Sequence, residues 1–140
     1  KYMKYLQDYT EQATTELLNK TGSFFAFSDD QFEKAKNKNL KKEDYTHLFG
    51  GLITPKTNSK EVLNGLKQIT KAGISLDIKE NGIINIIKRE LNNHEAYYSG
   101  NIESTVAVLE IYNLTPEQIY KVFKNKNTTA DDIKYIQSIK

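Results

Sequence analysis

The sequence has no cysteine, no tryptophan, only two prolines, and a single arginine among its 20 basic residues. Without cysteine there is no thiol nucleophile, disulfide or thiolate metal site, and the redox compartment leaves no mark. No apolar run approaches the roughly 18 residues that a membrane-spanning helix needs. The opening Lys1-Tyr2-Met3-Lys4-Tyr5 is basic but lacks the apolar stretch and small-residue cleavage site of a signal peptide. A first residue other than methionine points to a trimmed start, which leaves room for a lost leader. Charge of one sign is lacking too. Twenty Lys+Arg against 18 Asp+Glu leave +2, too balanced to imply nucleic acid by itself. The two halves of the chain are alike in this.

What remains is 140 residues with 38% hydrophobic and 27% charged side chains, the size of one ordinary domain and the composition of a soluble, globular one. At this length folding removes roughly 68–70% of the chain's surface from water, so no metal or disulfide is needed for stability.

Residues 2–20 place Tyr2, Tyr5, Leu6, Tyr9, Ala13 and Leu17 at helical spacing, with Gly22 as the stop. The tyrosines form a half-buried rim or a docking stripe. Ser23-Phe24-Phe25-Ala26-Phe27 is too short for a helix and reads as a strand. Ser28 and Gln31 form a capping box opening a helix that turns Phe32 and Ala35 inward. It dissolves into Lys36-Asn37-Lys38-Asn39, within a run that holds Lys34, Lys36, Lys38, Lys41 and Lys42. These lysines could meet phosphates, but no arginine or aromatic accompanies them in sequence, and a solvated face is the simpler reading.

Residues 45–54 read as a strand, a Gly50-Gly51 turn or bulge, and a second strand ended by Pro55. No GxxxxGK[ST] or GxGxxG pattern surrounds the glycines, so a phosphate loop is not supported. Asn58-Ser59-Lys60-Glu61 caps a helix with Val62, Leu63, Leu66 and Ile69 inward and Gly73 as its stop. The next helix runs from about Lys79 or Gly82 to Tyr98 and ends at Gly100. Asn101 caps another, with Ile102, Val106 and Leu109 on one face. Thr115-Pro116-Glu117-Gln118 is a capping box with proline at the first helical position, opening a helix that carries Ile119, Tyr120 and Phe123. Thr128 or Thr129 caps a last one, with Ile133, Ile136 and Ile139 inward. The helix over 117–124 has no arginine and two lysines, which argues against a DNA-reading helix-turn-helix. The fold expected is α+β: a predominantly helical single domain over 1–140 with a small antiparallel sheet, its strands near 24–27 and 45–54. The Tyr-rich helix over 2–20 is either part of that domain or an appendage.

The densest group of recognition chemistry is residues 89–100. Ile83, Ile87, Leu91, His94 and Tyr98 fall in one helical row, so His94 continues an apolar stripe and reads first as a core or rim histidine. Glu90 and His94 could reach one metal, yet two ligands from one turn do not make a site, and HExxH fails because residue 98 is tyrosine. As a general base, His94 has no partner that the sequence identifies. No cofactor or metal is expected, and no catalytic residue is assigned.

Phe24-Phe25-Ala26-Phe27-Ser28-x-x-Gln31-Phe32, Gly50-Gly51 and the run Glu90-Leu91-Asn92-Asn93-His94-Glu95-Ala96-Tyr97-Tyr98-Ser99-Gly100-Asn101-Ile102-Glu103-Ser104-Thr105 together resemble a small uncharacterised domain family of bacteriophages and mobile elements. The resemblance covers roughly residues 23–124, and its NHEAYY-x-G-x-IE-x-T core is its specific part. The abundance of Lys, Asn and Ile, with AT-rich codons, agrees with such a source. The resemblance carries no catalytic residue across. It implies an accessory protein acting in the cytoplasm of a bacterial host. The leading expectation is therefore non-catalytic binding to a bacterial host protein, as an inhibitor of a defence or regulatory system, through Asn92, Asn93, His94, Glu95, Tyr97 and Tyr98. One alternative is nucleic-acid binding through Lys34, Lys36, Lys38, Lys41 and Lys42. A second is a small metal-dependent hydrolase using Glu90, His94 and Glu95. No membrane partner is expected.

Overall fold

A computed structural model describes residues 3–124. Among these, seven α-helices accompany one three-stranded antiparallel sheet, the predominantly helical α+β architecture expected. The chain divides into two compact units, and the division falls between Ser75 and Leu76.

In the first unit, α1 (Leu6–Thr21) begins where the Asp8 carboxylate accepts from the Tyr5 amide at 2.9 Å and ends at Gly22, φ 72°. The helix starts later than the tyrosine spacing suggested: Tyr5 is its extended cap, and Tyr2 lies outside the described residues. Its inward row is Leu6, Thr10, Thr14, Leu17, Leu18 and Thr21, whereas Ala13 is exposed. The reason lies on α3 (Ser59–Asn81). A Cβ added at Gly65 would sit 2.6 Å from Leu17 Cδ2, and one at Gly73 would sit 2.5 Å from Thr10 Cγ2. Gly65 and Gly73 are two turns apart on one face, so they are notches into which α1 fits. Gly73 therefore does not stop the helix; it is buried in the interior of a helix of 23 residues. Val62 is fully buried with Leu18 and Leu52, while Leu63, expected inward, is exposed.

The sheet has the order β1–β3–β2, with β1 Phe24–Phe25, β2 Tyr45–Phe49 and β3 Leu52–Pro55. Gly50 and Gly51, at φ 47° and 81°, form the two-residue hairpin turn, which needs positive φ at both positions. Between the His47–Ile53 and Phe49–Leu52 pairs the register shifts. That extra residue sends Leu48 into the Leu18–Leu52–Val62 cluster and leaves Phe49 half exposed. Strand β1 is shorter than expected because the chain leaves it to cap α2 (Asp29–Ala35). Ser28 Oγ accepts from the Gln31 amide at 3.2 Å, and Gln31 Oε1 accepts from the Phe27 amide at 2.7 Å. Phe32 is buried among Phe24 and Tyr45, with ring centroids 5.3–5.8 Å apart. Ala35, expected inward, is exposed, since the helix ends there.

In the second unit, the single helix expected from about Lys79 to Tyr98 is three pieces. Lys79 belongs to the end of α3, Gly82 at φ 78° breaks the chain, and α4 covers Ile83–Asn93. Glu95 then adopts a left-handed conformation, φ 54°, before α5 (Ala96–Ser99), so Tyr98 leaves the row of Leu91 and His94. The last two are α6 (Glu103–Leu109) and α7 (Pro116–Lys124). Asn101 Oδ1 accepts from the Glu103 amide at 2.8 Å, but the buried residues of α6 are Thr105 and Leu109, with Ile102 and Val106 only half-buried. At α7 both capping-box bonds form, Gln118 N–H to Thr115 Oγ1 at 3.2 Å and Thr115 N–H to Gln118 Oε1 at 2.6 Å. Ile86, Ile87, Leu91, Leu109, Ile119 and Val122 are fully buried. The final helix expected around Ile133, Ile136 and Ile139 lies outside the described residues.

Candidate functional site

Along α3, Val62, Leu66, Ile69, Gly73 and Asp77 continue one helical row, so a carboxylate is carried into the interior. Asp77 has no solvent exposure. Arg89 of α4 meets it fork to fork, Nη1 to Oδ1 at 2.9 Å and Nη2 to Oδ2 at 3.0 Å. The same guanidinium donates from Nε to Glu90 Oε2 at 2.6 Å. Tyr112 donates its hydroxyl proton to Asp77 Oδ2, and Asn81 Nδ2 donates to Oδ1 at 2.8 Å. Thr105 Oγ1 donates to the Glu90 carbonyl at 3.3 Å. Two carboxylates and one guanidinium thus share a buried centre.

Burial pushes the Asp77 carboxyl upward, but the bonds from Arg89, Tyr112 and Asn81, with the Arg89 charge, outweigh it and hold Asp77 below the ordinary carboxylate range. Burial raises Tyr112, and its bond to Asp77 raises it further. Burial alone would lower Arg89; its bonds to Asp77 and Glu90 raise it instead. A general acid or base works best with a pKa near the operating pH. Asp77 is held ionised and Tyr112 protonated, both far from neutrality, so this centre acts as a clamp between α3, α4 and Tyr112.

His94 caps α4. Its Nε2 is buried and has no hydrogen-bond partner among the described residues, lying 3.8 Å from Glu90 Oε1. The structure brings Glu90 and His94 near each other but gives Glu90 Oε2 to Arg89, and Glu95 lies exposed on the left-handed turn. Among the described residues no three His, Cys, Asp or Glu side chains come together as a metal would need.

Asn92 and Asn93 are exposed at the end of α4, and Tyr98 is 94% exposed. Tyr97 is half-buried and stacks on Phe123, with centroids 5.4 Å apart and planes at 20°, and Phe123 lies 6.2 Å from Tyr120. Burial raises the Tyr97 phenol above its ordinary pKa. The structure thus joins Tyr97 to two residues of α7. The lysines of the 34–42 run follow the chain from α2 to β2. Lys34 pairs with Asp30 at 3.2 Å, and the Lys36 ammonium donates to the Leu40 carbonyl at 3.2 Å. Lys38, Lys41 and Lys42 are exposed.

Sequence reasoning passed over Asp77 and Tyr112. The available signal was the lone arginine among nineteen lysines, since a planar fork is chosen where a buried carboxylate must be held in two places.

The chain is therefore a predominantly helical α+β protein whose second unit is built on a buried ionic clamp. Residues 6–131 match the family of unknown function DUF7659, and the chain belongs to that family. The match begins at Leu6 and so takes in α1. No curated protein and no solved structure matches the chain.

Proposed function

We propose that the protein acts by non-catalytic binding to another protein, through the part of the second unit formed by the end of α4, α5 and α7. The observation that carries this reading is Tyr98, 94% exposed and next in the chain to the Tyr97–Phe123–Tyr120 aromatic group. Tyrosine and other aromatic side chains supply large contact area at low conformational cost and dominate the energetics of interfaces. The clamp supports the same reading, because the ionisable groups gathered in it are occupied with one another. The resemblance of the 92–105 stretch to domains of mobile elements supports a bacterial host protein as the partner, with inhibition of a defence or regulatory system as the outcome.

The test is affinity capture of the tagged protein from bacterial lysate, with and without nuclease, followed by affinity measurement on the captured partner. One dominant partner that survives nuclease is expected, with Tyr98→Ala plus Asn93→Ala weakening it about tenfold. Both side chains are exposed, so the fold should be kept. Unchanged affinity in that variant would refute this surface. A capture that vanishes with nuclease would move the function to the lysine run.

A further inference from the structure

A second site lies in the first unit. Between the start of α2 and strand β2 is a cleft of about 350 Å³, lined by the exposed rings of Phe27 and His47, the more buried Ile53 and Phe32, and the exposed Asp29 and Lys42. That volume is at the small end of ligand sites, which combine apolar walls with a few placed polar groups.

Both aromatic side chains meet one residue, Gly51. Phe27 is 74% exposed, yet its ring lies so close over Gly51 that a Cβ there would be 2.4 Å from Phe27 Cε1. The Gly51 amide also donates to His47 Nε2 at 3.1 Å. The Gly51 carbonyl accepts from the Ala26 amide at 2.9 Å, which fixes the residue before Phe27. Exposed as it is, the Phe27 ring lies against the Gly51 backbone. Asp29 and Lys42 line the cleft and enter no ion pair among the described residues, so an acidic and a basic side chain are both available there.

We infer that this cleft binds a nucleotide: the base lies against Phe27 and His47, its amino group donates to the Asp29 carboxylate, and its phosphate meets the Lys42 ammonium. Flat π-faces stack on aromatic side chains whatever the base. A carboxylate accepts from an amino group and repels a carbonyl oxygen, so selection between bases falls to Asp29. The lysine run seen in sequence had no aromatic beside it; the fold supplies Phe27 and His47 to Lys42. A free mononucleotide and a nucleotide within a single strand present the same chemistry.

The experiment is calorimetric titration at low salt with cytidine monophosphate, uridine monophosphate, cytidine, and short oligocytidylate and oligouridylate strands. Cytidine monophosphate should bind more tightly than cytidine and more tightly than uridine monophosphate, whose 4-oxo group faces Asp29. Phe27→Ala should weaken it about tenfold and Phe27→Trp restore it. Lys42→Gln should remove the advantage of the phosphate, and Asp29→Asn the preference over uridine. Saturation by the mononucleotide identifies a free nucleotide as ligand, and binding of the strands alone identifies a single strand. No binding of either, or binding unmoved by Phe27→Ala and Lys42→Gln, overturns the inference. Circular dichroism of each variant separates loss of the site from loss of the fold.

Discussion

Asp77 and Arg89, twelve residues apart, meet through two parallel hydrogen bonds of 2.9 and 3.0 Å inside the second unit, both almost wholly out of water. Removing one partner of such a pair strands the other charge in a medium that solvates it poorly, which typically costs about 3–5 kcal/mol. Arg89→Met leaves both Asp77 and Glu90 without their guanidinium partner and should lower stability by about that amount in urea unfolding. Arg89→Lys keeps the charge but loses the fork, and should fall between. A loss below about 1 kcal/mol for Arg89→Met would show that water reaches the carboxylates.

The same clamp sets the response to pH. Asp77 has its pKa depressed by folding, so its contribution is present above the unfolded value of 3.8 and is lost as pH falls through the folded one. Tyr112 and Tyr97 have raised pKa values, so their contribution is whole below the ordinary 10.0 and is lost as pH climbs above it. Urea midpoints should therefore hold steady between these limits as far as these three groups are concerned, and decline on either side. Tyr112→Phe should cost about 1.5–3 kcal/mol at neutral pH, the worth of a hydrogen bond to a charged group. It should also make the alkaline decline shallower. An alkaline limb identical in the variant would remove Tyr112 as its cause.

On α3 and α1, two glycines separate backbone propensity from packing. Replacing either Gly65 or Gly73 with alanine gains about 1 kcal/mol of helix propensity. The added methyl meets Leu17 Cδ2 at 2.6 Å in one case and Thr10 Cγ2 at 2.5 Å in the other. Leu17 is a flexible side chain that can turn away, whereas Thr10 is stiff at χ1. Gly65→Ala is expected to be near neutral, and Gly73→Ala to destabilise by about 1–2 kcal/mol. Adding Thr10→Ser removes the colliding methyl and should recover most of that loss. A double-mutant cycle showing no coupling would place the close contact elsewhere.

These glycines show where sequence reading stops. The Thr115–Gln118 capping box and the Gly50-Gly51 turn were legible because each is decided within about four residues. Gly73 was not, since a helical glycine reads equally as a stop or as a notch, and only α1 distinguishes them. Glu95 was hidden for a different reason: nothing local marks a glutamate for φ 54°, and without that turn Tyr98 falls into the row of His94. The clamp left a partial trace in the lone arginine and in Asp77 on an apolar row. Its pairing spans two helices, which periodicity does not reveal. Phe27 and Lys42 are far apart in sequence, so their meeting at one cleft depends on the hairpin and α2 together.

Gly51 offers the sharpest comparison, because its neighbour Gly50 serves as control. Alanine at either position must hold a positive φ, which costs about 1–2 kcal/mol. At Gly50, φ 47°, nothing lies within 4 Å of the new Cβ. At Gly51, φ 81°, it would collide with the Phe27 ring at 2.4 Å. Gly51→Ala should thus destabilise beyond Gly50→Ala and should displace Phe27 from the cleft, abolishing nucleotide binding that Gly50→Ala retains. Combining Gly51→Ala with Phe27→Ala removes the collision, so the added cost should disappear while the loss of binding remains. Urea midpoints for the four proteins measure the first effect and calorimetry the second. Equal stability of Gly50→Ala and Gly51→Ala would mean that the Phe27 ring is free to move, and the positioned wall on which the cleft depends would be gone.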